Sequence, residues 1–150
     1  MYLEGEMAPD FTLPDQDNQP VTLSALRGQP VVLYFYPKDD TPGCTRQACS
    51  LRDHIGELRQ RGAVVLGVSG DSVKSHRKFA DKFGLPFPLL ADTDHALGKA
   101  YGVWKFKSMF GKQVGGYERT TFVIDPEGKV RKVLPKVKPD EHVDLVLAAL

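Results

Sequence analysis

The chain has 150 residues, 41% of them hydrophobic and 26% charged, and a formal net charge of +1. That length suits one domain with its own core. Lys and Arg are scattered among acids, and no apolar run approaches the roughly 20 residues of a membrane span, so neither a nucleic-acid nor a membrane role has support.

The N-terminal stretch "MYLEGEMAPDFTLPD" is acidic and broken by proline. It lacks the basic and apolar regions of a signal peptide, and a cytoplasmic protein is the expectation. In "FTLPDQDNQPVTL", Thr12-Leu13 and Val21-Thr22-Leu23 flank a polar turn and predict a short N-terminal β-hairpin. "VVLYFY" (31–36) is a continuous apolar run, as expected of a strand buried on both faces. Thr41 is the natural cap and Pro42 the first residue of a helix. Ala48, Leu51, Ile55 and Leu58 carry its apolar stripe, and Gly62 closes it. Asp39 and Asp40 read as a solvated turn before it.

"AVVLGVS" (63–69) predicts a second buried strand. A helix capped by Asp71 or Ser72 follows, with Val73, His76, Phe79, Ala80 and Phe83 inward and Gly84 at its end. "PFPLLAD" (86–92) holds a short strand and "DHALGKAYGV" (94–103) a short helix. "TTFVIDPEGKVRKVL" (120–134) is a strand, a turn and a return strand, and Pro139-Asp140-Glu141 opens a last helix. This order predicts a single α/β domain over 1–150, with a central mixed β-sheet flanked by helices, as a thioredoxin-like core would give.

Both cysteines lie in "FYPKDDTPGCTRQACSL". With Thr41 as cap, Cys44 is the third residue of the helix. The unpaired N–H groups and the positive dipole end lie there, and both favour a thiolate. Cys44 shares the apolar stripe and points inward, whereas Cys49 is turned about 140° away, toward the more polar side of Asp53 and Gln60. The same helix holds their Cα atoms roughly 8–9 Å apart, beyond the roughly 7 Å that a disulfide tolerates. A functional pair therefore needs two states, a folded dithiol and a locally unwound disulfide. Two buried, inert cysteines fit these features equally well. A metal site is the weaker reading, because Cys44, Cys49 and His54 fan around the helix. His76, His95 and His142 read as ordinary histidines, and Trp104 as a core residue. No CxxC motif is present, which counts against a general disulfide reductase.

The run "FYPKDDTPGCT" with Cys49 resembles the peroxiredoxin signature Pro-x-x-x-Thr-x-x-Cys, here Pro37, Thr41 and Cys44. The second cysteine five residues on is similar to the PrxQ, or bacterioferritin comigratory protein, subfamily. "GEMAPDFTL", "GVWKFKSMFGK" and "ERTTFVIDPEG" extend the likeness over nearly the whole chain. The residues around Gly115 and Gly116 are less typical. The resemblance implies a cofactor-free, metal-free thiol peroxidase acting on hydrogen peroxide and organic hydroperoxides in antioxidant defence. It implies Cys44 as the peroxidatic and Cys49 as the resolving cysteine, joined in a transient disulfide. Thr41 and Arg119 would assist catalysis, Arg119 reaching in from a distant strand. Pro37, Thr41, Gly43 and Arg119 would line the peroxide site. Thioredoxin or glutaredoxin would be the reductant, and the protein a monomer.

Overall fold

The computed structural model describes residues 4–150. Two short strands, β1 (Thr12–Pro14) and β2 (Pro20–Thr22), form the antiparallel N-terminal hairpin. β3 (Val31–Phe35) enters the centre of the molecule, and α1 (Pro42–Asp53) and α2 (Ile55–Gln60) lead back to β4 (Val64–Ser69). Then come α3 (Val73–Phe83), β5 (Leu89–Ala91) and α4 (Ala96–Ala100). A second hairpin, β6 (Trp104–Met109) and β7 (Lys112–Tyr117), precedes β8 (Thr121–Ile124), β9 (Val130–Leu134) and α5 (His142–Ala149).

The main sheet has the order β5-β4-β3-β8-β9. β3 pairs in parallel with β4 and antiparallel with β8, so the sheet is mixed as expected. Strand geometry divides the core. Val32, Tyr34 and Tyr36 face a cluster with Cys44, Ala48 and Leu51 of α1, Phe79 of α3 and Val146 of α5. Val31, Leu33 and Phe35 face the opposite cluster with Leu97, Tyr101, Tyr117 and Phe122. Both faces of β3 are thus buried, which is why it reads as an unbroken apolar run.

Two expectations need correction, a third is narrowed to one of its two alternatives, and one element is added. The helix foreseen from Pro42 to Gly62 is two helices, because it breaks at His54. There the ring Nδ1 donates to the Ser50 carbonyl at 2.8 Å, and the backbone N–H is shared between the Ser50 and Leu51 carbonyls at 3.2 Å each. Asp39 is buried, not solvated, and is held by three side chains. Ser72, not Asp71, caps α3, accepting from Ser75 N–H at 3.1 Å. The β6–β7 hairpin is an addition. Its Trp-Lys-Phe-Lys alternation is a strand signal, but its outer end is exposed and packs on no core. The hairpin's base is fixed instead by Trp104, stacked on His95 with ring centroids 3.8 Å apart. Gly115 is needed there because a β-carbon would overlap the Trp104 ring.

Candidate active site at the start of α1

The site lies where β3 ends and α1 begins, on the carboxyl edge of the sheet that suits ligands in α/β folds. Thr41 is extended, at φ −99° and ψ 156°, and its carbonyl accepts the first helical bond, from Thr45 N–H at 2.8 Å. Its side chain makes no capping bond. The hydroxyl donates to the Lys38 carbonyl at 2.9 Å, which commits its one hydrogen and leaves the oxygen as an acceptor. The N–H groups of Gly43 and Cys44 precede that first helical bond and complete the polar helix start.

Cys44 is buried, with only 2% of its surface exposed, whereas Cys49 is half-buried. Both thiols are free and both sit within α1. Arg119 brings its Nη1 to 3.4 Å from Cys44 Sγ. It stands in the short link between β7 and β8 rather than on a strand, with its carbonyl accepting from Val137 N–H at 2.8 Å. A β-carbon on Gly43 would lie 3.2 Å from Arg119 Nη2, so glycine lets the guanidinium lie against the helix start. Pro37 and Arg119, the latter in contact with Cys44, line one groove. The fold therefore brings together Pro37, Gly43, Cys44 and Arg119, with Thr41 at the helix entry, and holds Cys49 five positions along α1.

Gln47 and His142 were not foreseen. Gln47 follows Cys44 by three positions, one helical turn, and is fully buried. Its Oε1 accepts from Arg119 Nη1 at 2.7 Å, and its Nε2 lies 3.1 Å from His142 Nδ1. Arg119 only donates, so the amide oxygen must face it and the amide nitrogen must face His142. The Nδ1 of His142 therefore accepts, and its Nε2 donates to Thr121 Oγ1 at 2.7 Å. Burial, and secondarily the Arg119 charge, push the His142 pKa down to about 3, which keeps the ring neutral and this chain of bonds intact.

A pH dependence follows from His142. An unfolded histidine titrates near 6.5, so below that pH the unfolded chain binds a proton the folded one refuses. Stability attributable to His142 falls as pH drops from about 6.5 to about 3, by about 1.4 kcal/mol per unit. Urea unfolding midpoints between pH 7 and pH 4.5 are expected to fall less steeply for His142→Gln than for wild type. Equal slopes would contradict this assignment.

On the other side of the entry loop, Asp39 accepts from the Tyr36 hydroxyl at 2.6 Å and the Ser75 hydroxyl at 2.8 Å. His76 Nδ1 lies 2.7 Å from its second oxygen. The other ring nitrogen of His76 faces the Leu90 carbonyl at 2.9 Å, a group that only accepts, so that nitrogen carries a hydrogen. Asp39 and His76 are thus held together as a buried hydrogen-bonded pair. Burial and the neighbouring Asp39 push the Tyr36 hydroxyl well above its ordinary range, so Tyr36 remains a donor. Asp39 thereby ties the loop from Pro37 to Thr41 to α3.

The family model that matches residues 5–133 is described as the AhpC/TSA family. The chain is similar to the peroxiredoxin Bcp of Bacillus subtilis, 48% identical over 146 residues that cover 97% of this chain and 93% of that protein. It is also similar to the peroxiredoxin Bcp of Escherichia coli K12, 48% identical over 143 residues that cover 95% of this chain and 92% of that protein. Among solved structures, the Xanthomonas campestris bacterioferritin comigratory protein, described for its alkyl peroxide reduction activity, superposes with a TM-score of 0.92. The identity is 45%, over 98% of this chain and 96% of that one. The fold is thus the thioredoxin-like fold of those proteins.

Proposed function

The chain belongs to the AhpC/TSA family, in its peroxiredoxin Bcp/PrxQ branch, and from that premise we propose that it reduces hydroperoxides through Cys44 and resolves the product through Cys49. The contact of Arg119 Nη1 with Cys44 Sγ at 3.4 Å, at a helix start, carries this reading. The Cys44 thiolate attacks the terminal oxygen of the peroxide, and the O–O bond breaks. Arg119 and the first-turn N–H groups stabilise the charge that develops on the departing oxygen. Thr41 oxygen, with its own hydrogen given to Lys38, accepts the hydrogen of the incoming peroxide. Water or an alcohol leaves, and Cys44 becomes a sulfenic acid.

The start of α1 then unwinds, Cys49 attacks the Cys44 sulfur, and the sulfenic oxygen leaves as water as the disulfide forms. A dithiol protein of the thioredoxin class reduces it. Resolution within one chain needs no partner subunit, so a monomer suffices. We place the protein in the cytoplasm on the same reading; among the described residues no helix is long and apolar enough to cross a membrane.

Arg119→Met tests the carrying contact. The second-order rate of Cys44 oxidation, measured in one turnover by rapid mixing, is expected to fall roughly 10²-fold, the usual size for one donor to a developing anion. A rate within about twofold of wild type would remove Arg119 from the chemistry.

A further inference from the structure

Gln47 lies between the two cysteines and is fully buried. Its amide holds two partners from outside α1. Oε1 accepts from Arg119 Nη1 at 2.7 Å, and Nε2 donates to His142 Nδ1 at 3.1 Å. His142 extends the hold to β8, where its Nε2 donates to Thr121 Oγ1 at 2.7 Å. One side chain thus ties α1 to the β7–β8 link, to α5 and, through the ring, to the main sheet. The same Nη1 of Arg119 lies 3.4 Å from Cys44 Sγ, so the amide also fixes the donor at the reacting sulfur.

A Cys44–Cys49 bond cannot leave this arrangement in place. A helix holds those Cα atoms roughly 8–9 Å apart, and a disulfide tolerates about 7 Å. The backbone from 44 to 49 must leave the helix, and Gln47 goes with it. Its withdrawal takes an acceptor from Arg119 and uncovers the Nδ1 lone pair of His142. Of the groups around that ring, Arg119 is the charged one whose field reaches it. Tyr34 of β3, with ring centroids 5.6 Å apart, is kept protonated by burial. Gln47 and Thr121 are neutral. Asp140 is exposed and paired with Arg46, and Glu141 and Asp144 are exposed.

We infer that Gln47 is the latch that keeps α1 closed over Cys44, and that its release lets His142 take a proton from solvent. Both are positioning residues, and the inference rests on the reading that Cys49 resolves Cys44. The closed form refuses the proton, because burial and then the Arg119 charge push the His142 pKa down to about 3. In the unwound disulfide form the ring returns toward its ordinary value of about 6.5. Between those limits a lower pH therefore favours the unwound form. The resolving step stays balanced. The S–O bond breaks, the S–S bond forms, and the sulfenic OH leaves with the Cys49 hydrogen as water. The His142 proton is additional and stays on the protein.

Gln47→Met keeps the length of the side chain and removes both bonds. After one equivalent of hydrogen peroxide, acid quenching and intact mass separate the Cys44 sulfenic acid from the disulfide. The sulfenic acid is expected to pass to the disulfide about tenfold faster in Gln47→Met than in wild type, the size of one charge-assisted bond lost from the closed form alone. A merely structural role would lower stability without speeding this step. The second readout is made on wild type, by histidine NMR from about pH 7.5 to about pH 5. The His142 resonance, assigned by its absence in His142→Gln, should stay fixed in the dithiol form and titrate in the disulfide form. That measurement decides the matter even where Gln47→Met does not fold. An unchanged or slower resolving step in a folded Gln47→Met, or a His142 resonance that stays fixed in both forms, would overturn the inference and leave resolution by Cys49 intact. A wild-type protein that forms no Cys44–Cys49 disulfide would instead overturn the resolving reading, and this inference with it.

Discussion

Cys44→Ser is expected to consume no peroxide above the uncatalysed rate, while Cys49→Ser reacts once and stops. Serine keeps the shape of the Cys44 site but not its nucleophile, and the second thiol cannot take over. Cys49 lies further along α1, away from Arg119, which contacts Cys44. In Cys49→Ser the attack on peroxide is untouched, so one equivalent of peroxide should be lost and a sulfenic acid should accumulate on Cys44. Without a resolving thiol, thioredoxin meets no intramolecular disulfide, and further peroxide drives Cys44 to the irreversible sulfinic acid. Peroxide consumption with a thioredoxin system, together with intact-mass measurement, reads all of these outcomes. Activity surviving in Cys44→Ser would sink the assignment, and steady turnover in Cys49→Ser would show that another thiol resolves Cys44.

The second large effect belongs to Asp39. Asp39→Ala is expected to lower stability by about 3–5 kcal/mol, because it removes one member of a buried pair and strands its partners. His76 is fully buried and Asp39 nearly so. The Tyr36 and Ser75 hydroxyls would lose their acceptor at the same time. Such a loss is a large share of the about 5–15 kcal/mol that holds a domain folded. Because the loop from Pro37 to Thr41 carries this anchor, Cys44 oxidation should slow as well, even where the variant remains folded. Urea unfolding gives the first number and rapid-mixing kinetics the second. A change under about 1 kcal/mol would mean that water replaces the lost acceptor and that the anchor is unnecessary.

What could be read from the residues alone divides along physical lines. Strands β3, β4 and β8 were legible because burial on both faces makes them almost wholly apolar. The direction of Cys44 was legible because its stripe with Ala48 and Leu51 has helical spacing. Gln47 sits one turn from Cys44 and shares its face, so its proximity was also available; its partners were not. Arg119 lies 75 positions from Cys44. No periodicity reports that approach, and only resemblance pointed to it. Asp39 looks like half of an exposed Asp-Asp turn. Its burial depends on α3 supplying Ser75 and His76, which a local reading does not see. His142 is similar: its role is fixed by Gln47 and Thr121. At the break, the His54 ring joins the backbone N–H on the Ser50 carbonyl, a contact that apolar spacing does not record.

The central claim is that α1 must open before Cys49 can reach Cys44. Amide exchange across residues 42–53, recorded before and after one equivalent of peroxide, tests it most directly. Reduced protein should protect the amides of α1 from Thr45 onward. The disulfide form should lose that protection through Cys49, while β3 and β4 keep theirs. A Cys44–Cys49 disulfide that forms with α1 protection unchanged would contradict the account.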